Sequence, residues 1–249
     1  MVSGMIPVID MMWWAFAAGF VAVALGAAFQ SSAGLGFGLL VSPVFALIDP
    51  MLVPSAVLLI GISTAAMATW RVRDNINWTQ IPLPIATRFV GIICGVIILA
   101  YVADERATVS VVFGFLVLFA VAITGFQWHI RPTPGNLIAA GYLSGLMSAM
   151  VGIGGPPMGL VYQRSAAKDI RAMLNAFFAI GTLMSIIVLT IGGFMSMRHV
   201  IVAACFYPAM AIGLALAGQL DRFSDAHIRL VILAICTVAS VVLIGRGLV

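Results

Sequence analysis

The chain is a succession of long apolar stretches separated by short polar segments. Six stretches are long enough to cross a lipid bilayer, for which a helix needs about 20 apolar residues. They cover residues 52–70, 83–102, 108–126, 172–193, 199–217 and 227–245. The pattern therefore predicts an all-α integral membrane protein.

Two further pairs of apolar stretches are interrupted by glycine. Residues 11–29 are followed by 34–48, and residues 136–150 are followed by 154–162. In each pair the second member is short and the junction is rich in glycine. Whether such a pair forms two full crossings or a re-entrant hairpin, the chain returns to the side from which it entered.

The composition agrees with a membrane location. Of the 249 residues, 63% are hydrophobic and 8% are charged, and the mean hydropathy is +1.19. Soluble domains contain about a quarter charged residues, so this chain has too little polar surface to face water and needs a lipid bilayer around it. No basic cluster interleaved with aromatic residues indicates a nucleic-acid partner. The first ten residues lack the basic start of a secretory signal, so we expect no cleavage there.

The basic residues predict the orientation. If each glycine-interrupted pair returns to its own side, one side of the membrane carries eight Lys or Arg residues and the other carries three. The eight are Arg71, Arg73, Arg131, Arg164, Lys168, Arg171, Arg222 and Arg229; the three are Arg106, Arg198 and Arg246. If the short members do not return, the split is five against six. The positive-inside rule favours the biased arrangement, with a multi-pass protein in the inner (cell) membrane, basic loops in the cytoplasm and both termini outside it.

The element order repeats. Each half, residues 1–127 and 128–249, contains one hairpin, which is either re-entrant or spanning, and three transmembrane helices. An odd net number of crossings places the second half upside down, which predicts inverted repeats forming one transport unit. Gly61 in the first half corresponds to Gly181 in the second.

The breaks predict a site. Gly152, Gly154 and Gly155 are followed directly by Pro156 and Pro157, and a double proline does not belong inside a continuous helix. Pro157 suits the first turn of a new helix. A helix that starts in mid-membrane directs unpaired N–H groups and its positive dipole end at the break, which favours a small anion. The alternative interpretation is close packing of glycine between helices.

Other polar residues in apolar surroundings extend the candidate site. Gln30, Ser31 and Ser32 lie at the first break. Arg88 has two interpretations, contact with an anion or an anchor that extends to the cytoplasmic interface. The candidate substrate-binding residues are Ser31, Ser32, Gly34, Gly36, Arg88, Gly152, Gly154, Gly155, Pro156, Pro157 and Asn175.

The stretch GYLSGLMSAMVGIGGPPMGLVYQ resembles the second glycine-rich signature of the TauE/SafE family, the sulfite exporter and 4-toluene sulfonate uptake permease group. The likeness covers nearly the whole chain. The first signature, SSAGLGFGLLVSP, has serines and an alanine where many members carry a denser run of glycine. The resemblance implies transport of sulfite, sulfoacetate, other organosulfonates or related carboxylates.

These observations predict a secondary transporter that exports a small sulfur-containing anion by alternating access. No GxxxxGK[ST] loop indicates ATP hydrolysis, and no Asp or Glu lies deep in a predicted span. Proton-coupled uptake of organosulfonate or carboxylate anions, and an anion channel, remain open alternatives. An enzyme is not expected, because no span carries a nucleophile with a base or a metal-binding set.

Neither a cofactor nor a metal is expected. Cys94, Cys205 and Cys236 are isolated in apolar runs without a CxxC motif, so we expect them to be small core residues. The sequence leaves open whether copies associate into a homo-oligomer.

Overall fold

A computed structural model describes residues 13–33, 36–103, 105–125, 130–162, 167–220 and 225–248 of the chain. All its regular structure within these ranges is helical. The helices are α1 Trp13–Ala33, α2 Phe37–Ile48, α3 Ser55–Val72, α4 Pro82–Val102, α5 Arg106–Gly125, α6 Pro134–Val151, α7 Gly155–Tyr162, α8 Ala167–Ile191, α9 Met197–Leu220 and α10 Asp225–Leu248. Short 3-10 turns lie at Pro50–Leu52, Arg73–Asn75 and Trp78–Gln80.

Local signals set several helix boundaries. Proline occupies the first position of α4 and of α6, where its missing N–H costs no hydrogen bond. The Thr133 side chain caps α6 by accepting a hydrogen bond from the Asn136 N–H. At the end of α2, the Asp49 side chain accepts from the Met51 N–H and starts the 3-10 turn.

The lengths of the helices agree with the multi-pass prediction. Among the described residues, six helices are long and apolar enough to span a membrane, and they are α1, α3, α4, α5 and most of α8 and α9. Helix α2 has 12 residues and α7 has eight, which corresponds to lengths of about 18 and 12 Å. Each of these two helices is therefore shorter than a hydrocarbon core of about 30 Å.

The most extensive helix contacts join the two parts of the sequence. Helix α4 packs along α6, α9 along α1, α5 along α10 and α3 along α8. The short helices follow the same scheme, since α2 contacts α10 and α7 contacts α5. Each partnership therefore links a helix before residue 127 with one after it.

Glycine allows the closest of these approaches. A Cβ atom added at Gly91 of α4 would overlap the carbonyl of Tyr142 in α6, and one added at Gly145 of α6 would overlap the carbonyl of Arg88 in α4. Backbone contact of this kind is typical of membrane helices that pack through small residues. It also fixes the depth of the Arg88 backbone relative to α6.

The outer surface is apolar, as a bilayer requires. On α4 alone, Val90, Ile97 and Tyr101 are 52%, 51% and 85% exposed. Phe115 on α5 and Ile187 on α8 are exposed as well. Contiguous apolar surface on this scale marks a face that contacts lipid or another protein.

Candidate functional site

The two glycine-rich breaks meet inside the helix bundle. Gly152 ends α6 in the left-handed conformation with φ of 70°, and its N–H donates to the carbonyls of Met147 and Ser148. Gly36 precedes α2 with φ of 120°. A Cβ atom at Gly38 would overlap the Gly152 carbonyl, so the start of α2 lies directly against the end of α6.

A small cavity lies beside this contact and is called here the central cavity. Its volume is about 50 Å³. A buried water occupies roughly 10–15 Å³ on this measure, so the space holds a group of only a few heavy atoms. The lining includes residues of both breaks together with Gln30, Val57, Gly61, Arg88, Thr124, Ser148, Phe178 and Thr182.

The first residues of α2, Phe37, Gly38 and Leu39, line the central cavity. The first bond within this helix runs from the Leu40 N–H to the Gly36 carbonyl at 3.1 Å, so the N–H groups of residues 37–39 precede the helical ladder. Helix α7 contributes mainly its dipole, because Pro156 and Pro157 have no N–H to offer.

Arg88 is buried in the middle of the bundle, with 1% of its surface exposed. Its Nη1 donates to Ser144 Oγ at 3.2 Å and its Nη2 to Ser148 Oγ at 3.4 Å. Both serines flank Gly145, which packs against the backbone of Arg88 and of Ile92, the middle residue of α4. The guanidinium is therefore enclosed by the bundle, whereas an interfacial anchor would extend its charged end to water.

A chain of hydroxyl groups holds the guanidinium in place. Ser144 Oγ donates to the Gly154 carbonyl at 2.6 Å, and Ser185 Oγ donates to the Gly181 carbonyl at 3.0 Å. The 3.2 Å contact between Ser148 and Ser185 is then donated by Ser148, because the Ser185 hydrogen is already used. All three hydrogens point away from Arg88, so the two serines bonded to it present oxygen lone pairs to its N–H groups.

The charge of Arg88 has no anionic partner among the described side chains. The described ion pairs are Arg73 with Asp74 and Arg198 with Asp49. Arg88 Nε is buried and donates to no acceptor. The rings of Phe177 and Phe178 lie 4.6 and 5.4 Å from the guanidinium carbon and offer only cation–π contact. Among the described side chains, the guanidinium therefore has hydroxyl and aromatic neighbours but no carboxylate beside it.

The candidate residues from the sequence separate into four groups. Residues on the central cavity are Gly36, Arg88, Gly152, Gly154, Gly155 and Pro156. Pro157 is buried in the first turn of α7 but does not line the cavity, and Asn175 is buried and accepts a 3.2 Å hydrogen bond from Gln30. Ser31 accepts a hydrogen bond from Arg71 at 3.3 Å, away from the cavity. Gly34 and the side chain of Ser32 lie outside the described residues.

Sequence reasoning did not select Ser144, Ser148 and Ser185 as site residues. Two of them carry a signal, because Ser144 and Ser148 are four apart and therefore share one face of an apolar helix. Ser185 has no such partner in the sequence. Its place in the site follows from the packing of α8 beside α6.

A second cavity of about 330 Å³ lies at the opposite end of α4 from its first residue. Its lining includes Leu99, Phe113 and Phe194. Three contacts beside it, called here the clasp, join the region from the end of α2 to the start of α3 with the region from the end of α8 to the first turn of α9. They are Arg198 Nη2 to Asp49 Oδ2 at 2.7 Å, His199 Nε2 to the Met51 carbonyl at 2.9 Å, and Ser55 Oγ to the Phe194 carbonyl at 2.8 Å.

An all-helical, multi-pass membrane protein with broken helices and a buried cationic cavity falls in the class of membrane transporters. The family model described as "Sulfite exporter TauE/SafE" matches residues 15–243, and the chain belongs to this family. The resemblance seen in the sequence is thereby confirmed.

A curated relative points the same way. The chain is 25% identical over 236 residues to the "Probable sulfite/organosulfonate exporter TauE" of Cupriavidus necator, and the match covers 89% of this chain and 88% of the relative. No solved structure matches the chain.

Proposed function

We propose that this protein is a secondary transporter that exports a small sulfur-containing anion, either sulfite or an organosulfonate. The observation that carries the proposal is the buried guanidinium of Arg88, which faces the central cavity between two helix starts and has no carboxylate partner among the described residues. Such a site favours an anion because a buried charge needs a compensating charge or hydrogen bonds.

The charge and size of the central cavity favour a sulfite or sulfonate group. Arg88 supplies one positive charge and each helix start about half a charge, which makes roughly two in total. The cavity of about 50 Å³ has room for about three to five water-sized groups, and sulfite has four heavy atoms. A longer organosulfonate needs a wider cavity than the one seen here.

The packing supports an inverted-repeat arrangement of residues 1–127 and 128–249. Under a two-fold relation, the contact of α4 with α6 corresponds to that of α9 with α1, and the contact of α2 with α10 corresponds to that of α7 with α5. Glycine allows the close approach in both the contact of α4 with α6 and that of α9 with α1. A Cβ atom at Gly91 in α4 would overlap the Tyr142 carbonyl in α6, and one at Gly213 in α9 would overlap the Ala24 carbonyl in α1.

Transport proceeds by alternating access between the two ends of the bundle. The contact of Gly38 with Gly152 and the buried side chain of Val57 lie at the central cavity. The clasp closes the far end. The proposed orientation has the basic loops in the cytoplasm and both termini outside it. An inside-negative potential then favours the export of an anion by a free energy of about 2.3 kcal/mol per charge per 100 mV.

The test is anion flux in proteoliposomes driven by an imposed potential, with chloride on both sides. Sulfite and sulfoacetate are compared in parallel with a plain dicarboxylate and with taurine, a zwitterion without net charge that the potential alone should not drive. We expect potential-driven flux of at least one sulfur-containing anion, and a fall of at least tenfold in Arg88→Gln.

The matched control is Arg73→Gln, because the Arg73 side chain is 51% exposed and contacts Asp74 and the Trp70 ring, neither of which lines the central cavity. This variant should keep the flux of the original chain within about twofold, since exposed ion pairs contribute little to stability. If folded protein moves neither sulfite nor sulfoacetate, or moves them equally well without Arg88, the proposed function is wrong.

A further inference from the structure

Between two rounds of export, when the substrate is absent, the buried charge of the Arg88 guanidinium has no anion to compensate it. Once the substrate has left, a fully buried charge remains with two serine hydroxyls and two aromatic rings as its neighbours. Neutral groups of this kind solvate a charge in part but do not cancel it. The Nε atom has no acceptor at all.

The return step makes this charge more costly. In alternating access the empty site must lose contact with one side and gain contact with the other, and the closed state in between excludes water. A buried charge without a partner is strongly unfavourable in such a state. Many transporters place a carboxylate beside the cation, but the described residues provide none here.

We propose that a small monovalent anion, with chloride as the representative case, occupies the central cavity when the substrate is absent and is carried inward as the transporter returns. The protein then exchanges a divalent sulfur-containing anion for one chloride, so that one negative charge leaves in each cycle and an imposed potential still drives export. The binding part of this proposal stands on the structure alone, and the exchange part rests on the proposed function.

The hydrogen-bond donors at the central cavity suit chloride. The N–H groups of residues 37–39 precede the hydrogen-bond ladder of α2, and Arg88 Nε is buried and without an acceptor. The hydroxyl hydrogens of Ser144 and Ser185 are used by carbonyl groups. A cation could not replace chloride in this role, because the described lining carries no carboxylate to hold it.

The cavity also suits chloride in its size. A volume of about 50 Å³ admits one chloride with a few waters, given roughly 10–15 Å³ for each water. Gluconate, with its chain of six carbons, is too large to enter. Gluconate therefore serves as the anion that maintains ionic strength without occupying the site.

The first experiment measures chloride binding to the purified full-length protein. Gluconate is replaced by chloride at constant ionic strength, and the Tm is followed. A ligand that binds only the folded state raises the Tm with concentration. We expect a chloride-dependent rise in the original chain and in Arg73→Gln, a smaller rise in Arg88→Lys, and none in Arg88→Gln. An equal rise in Arg88→Gln would overturn the proposal.

The second experiment measures sulfite efflux from proteoliposomes with chloride or gluconate outside. We expect efflux to be at least threefold faster with chloride outside, and labelled chloride to enter as sulfite leaves. Sulfite efflux at the same rate in both media would overturn the exchange proposal while leaving the proposed function intact. Chloride binding at Arg88 without flux of any sulfur-containing anion would support occupancy of the cavity and refute the proposed substrate class.

Discussion

The position of the Arg88 guanidinium depends on the absence of a side chain at Gly181. A Cβ atom there would overlap Nε and Cζ of Arg88, so the arginine would have to leave the hydroxyls of Ser144 and Ser148. We expect Gly181→Ala to weaken sulfite binding at least tenfold, which corresponds to about 1.4 kcal/mol. The sulfite-dependent rise in Tm measures this effect.

Gly245→Ala in α10 is the control for Gly181→Ala, because a Cβ atom at Gly245 meets nothing within 4 Å. Alanine in a helix interior stabilises by about 0.5–1 kcal/mol relative to glycine. The control should therefore bind sulfite normally and unfold at the same temperature or slightly above. Unchanged binding in Gly181→Ala would show that Arg88 does not need its present orientation.

At the residue scale, the sequence indicated that Arg88 is a candidate site residue but did not indicate which side chains surround it. Arg88 is recognisable because a charge deep in an apolar stretch is rare, yet its two interpretations could not be separated without the depth of α4 against α6. Ser31 was expected at the site and instead contacts Arg71. Helix periodicity near a break cannot tell which of two adjacent polar residues, Gln30 or Ser31, faces inward.

At the scale of single helices, the breaks require a backbone that only glycine adopts easily. Gly152 and Gly193 both have positive φ, 70° and 80°, and an L-residue in this conformation costs about 1–2 kcal/mol. At Gly152 a Cβ atom would in addition lie 3.0 Å from Ser42 Oγ and 3.3 Å from Val57 Cγ1, whereas at Gly193 it meets nothing within 4 Å.

The two alanine variants at these glycines therefore separate strain from function. We expect Gly152→Ala and Gly193→Ala to lose similar stability, about 1–2 kcal/mol, measured by thermal unfolding. Anion flux should fall at least tenfold only in Gly152→Ala, because only there must the break itself shift. Equal flux in the two variants would mean that the geometry at the end of α6 does not matter for transport.

The helices themselves were largely predictable from the sequence. The predicted span 83–102 corresponds to α4 at Pro82–Val102, and the predicted pair 136–150 and 154–162 corresponds to α6 and α7. Apolar length, glycine and proline decide these boundaries locally. The packing of α4 against α6 joins residues that are far apart in the sequence, and no pattern within either helix predicts it.

At the scale of the whole molecule, the central cavity and the cavity beside the clasp lie in different parts of the bundle, and their linings share no residue. Under alternating access, an anion in the central cavity reaches the side of the clasp only after the packing between the two cavities rearranges. A transporter opens its two ends in turn, while an open channel connects them at once. Loss of the clasp should therefore distinguish a transporter from an open channel.

Asp49→Asn removes the charge that holds Arg198 at 2.7 Å across the clasp. Partly exposed ion pairs contribute up to about 1 kcal/mol, which shifts a two-state population by about fivefold. In a background with the three native cysteines replaced by alanine, a Val57→Cys reporter beside the central cavity should react about fivefold faster with an impermeant thiol reagent added on the Arg198 side. Asp74→Asn, which breaks only the exposed pair with Arg73, should leave the rate unchanged. Fast labelling from the Arg198 side with the clasp intact would favour an anion channel. A channel is open through the whole bundle, so the reporter would be accessible without loss of the clasp.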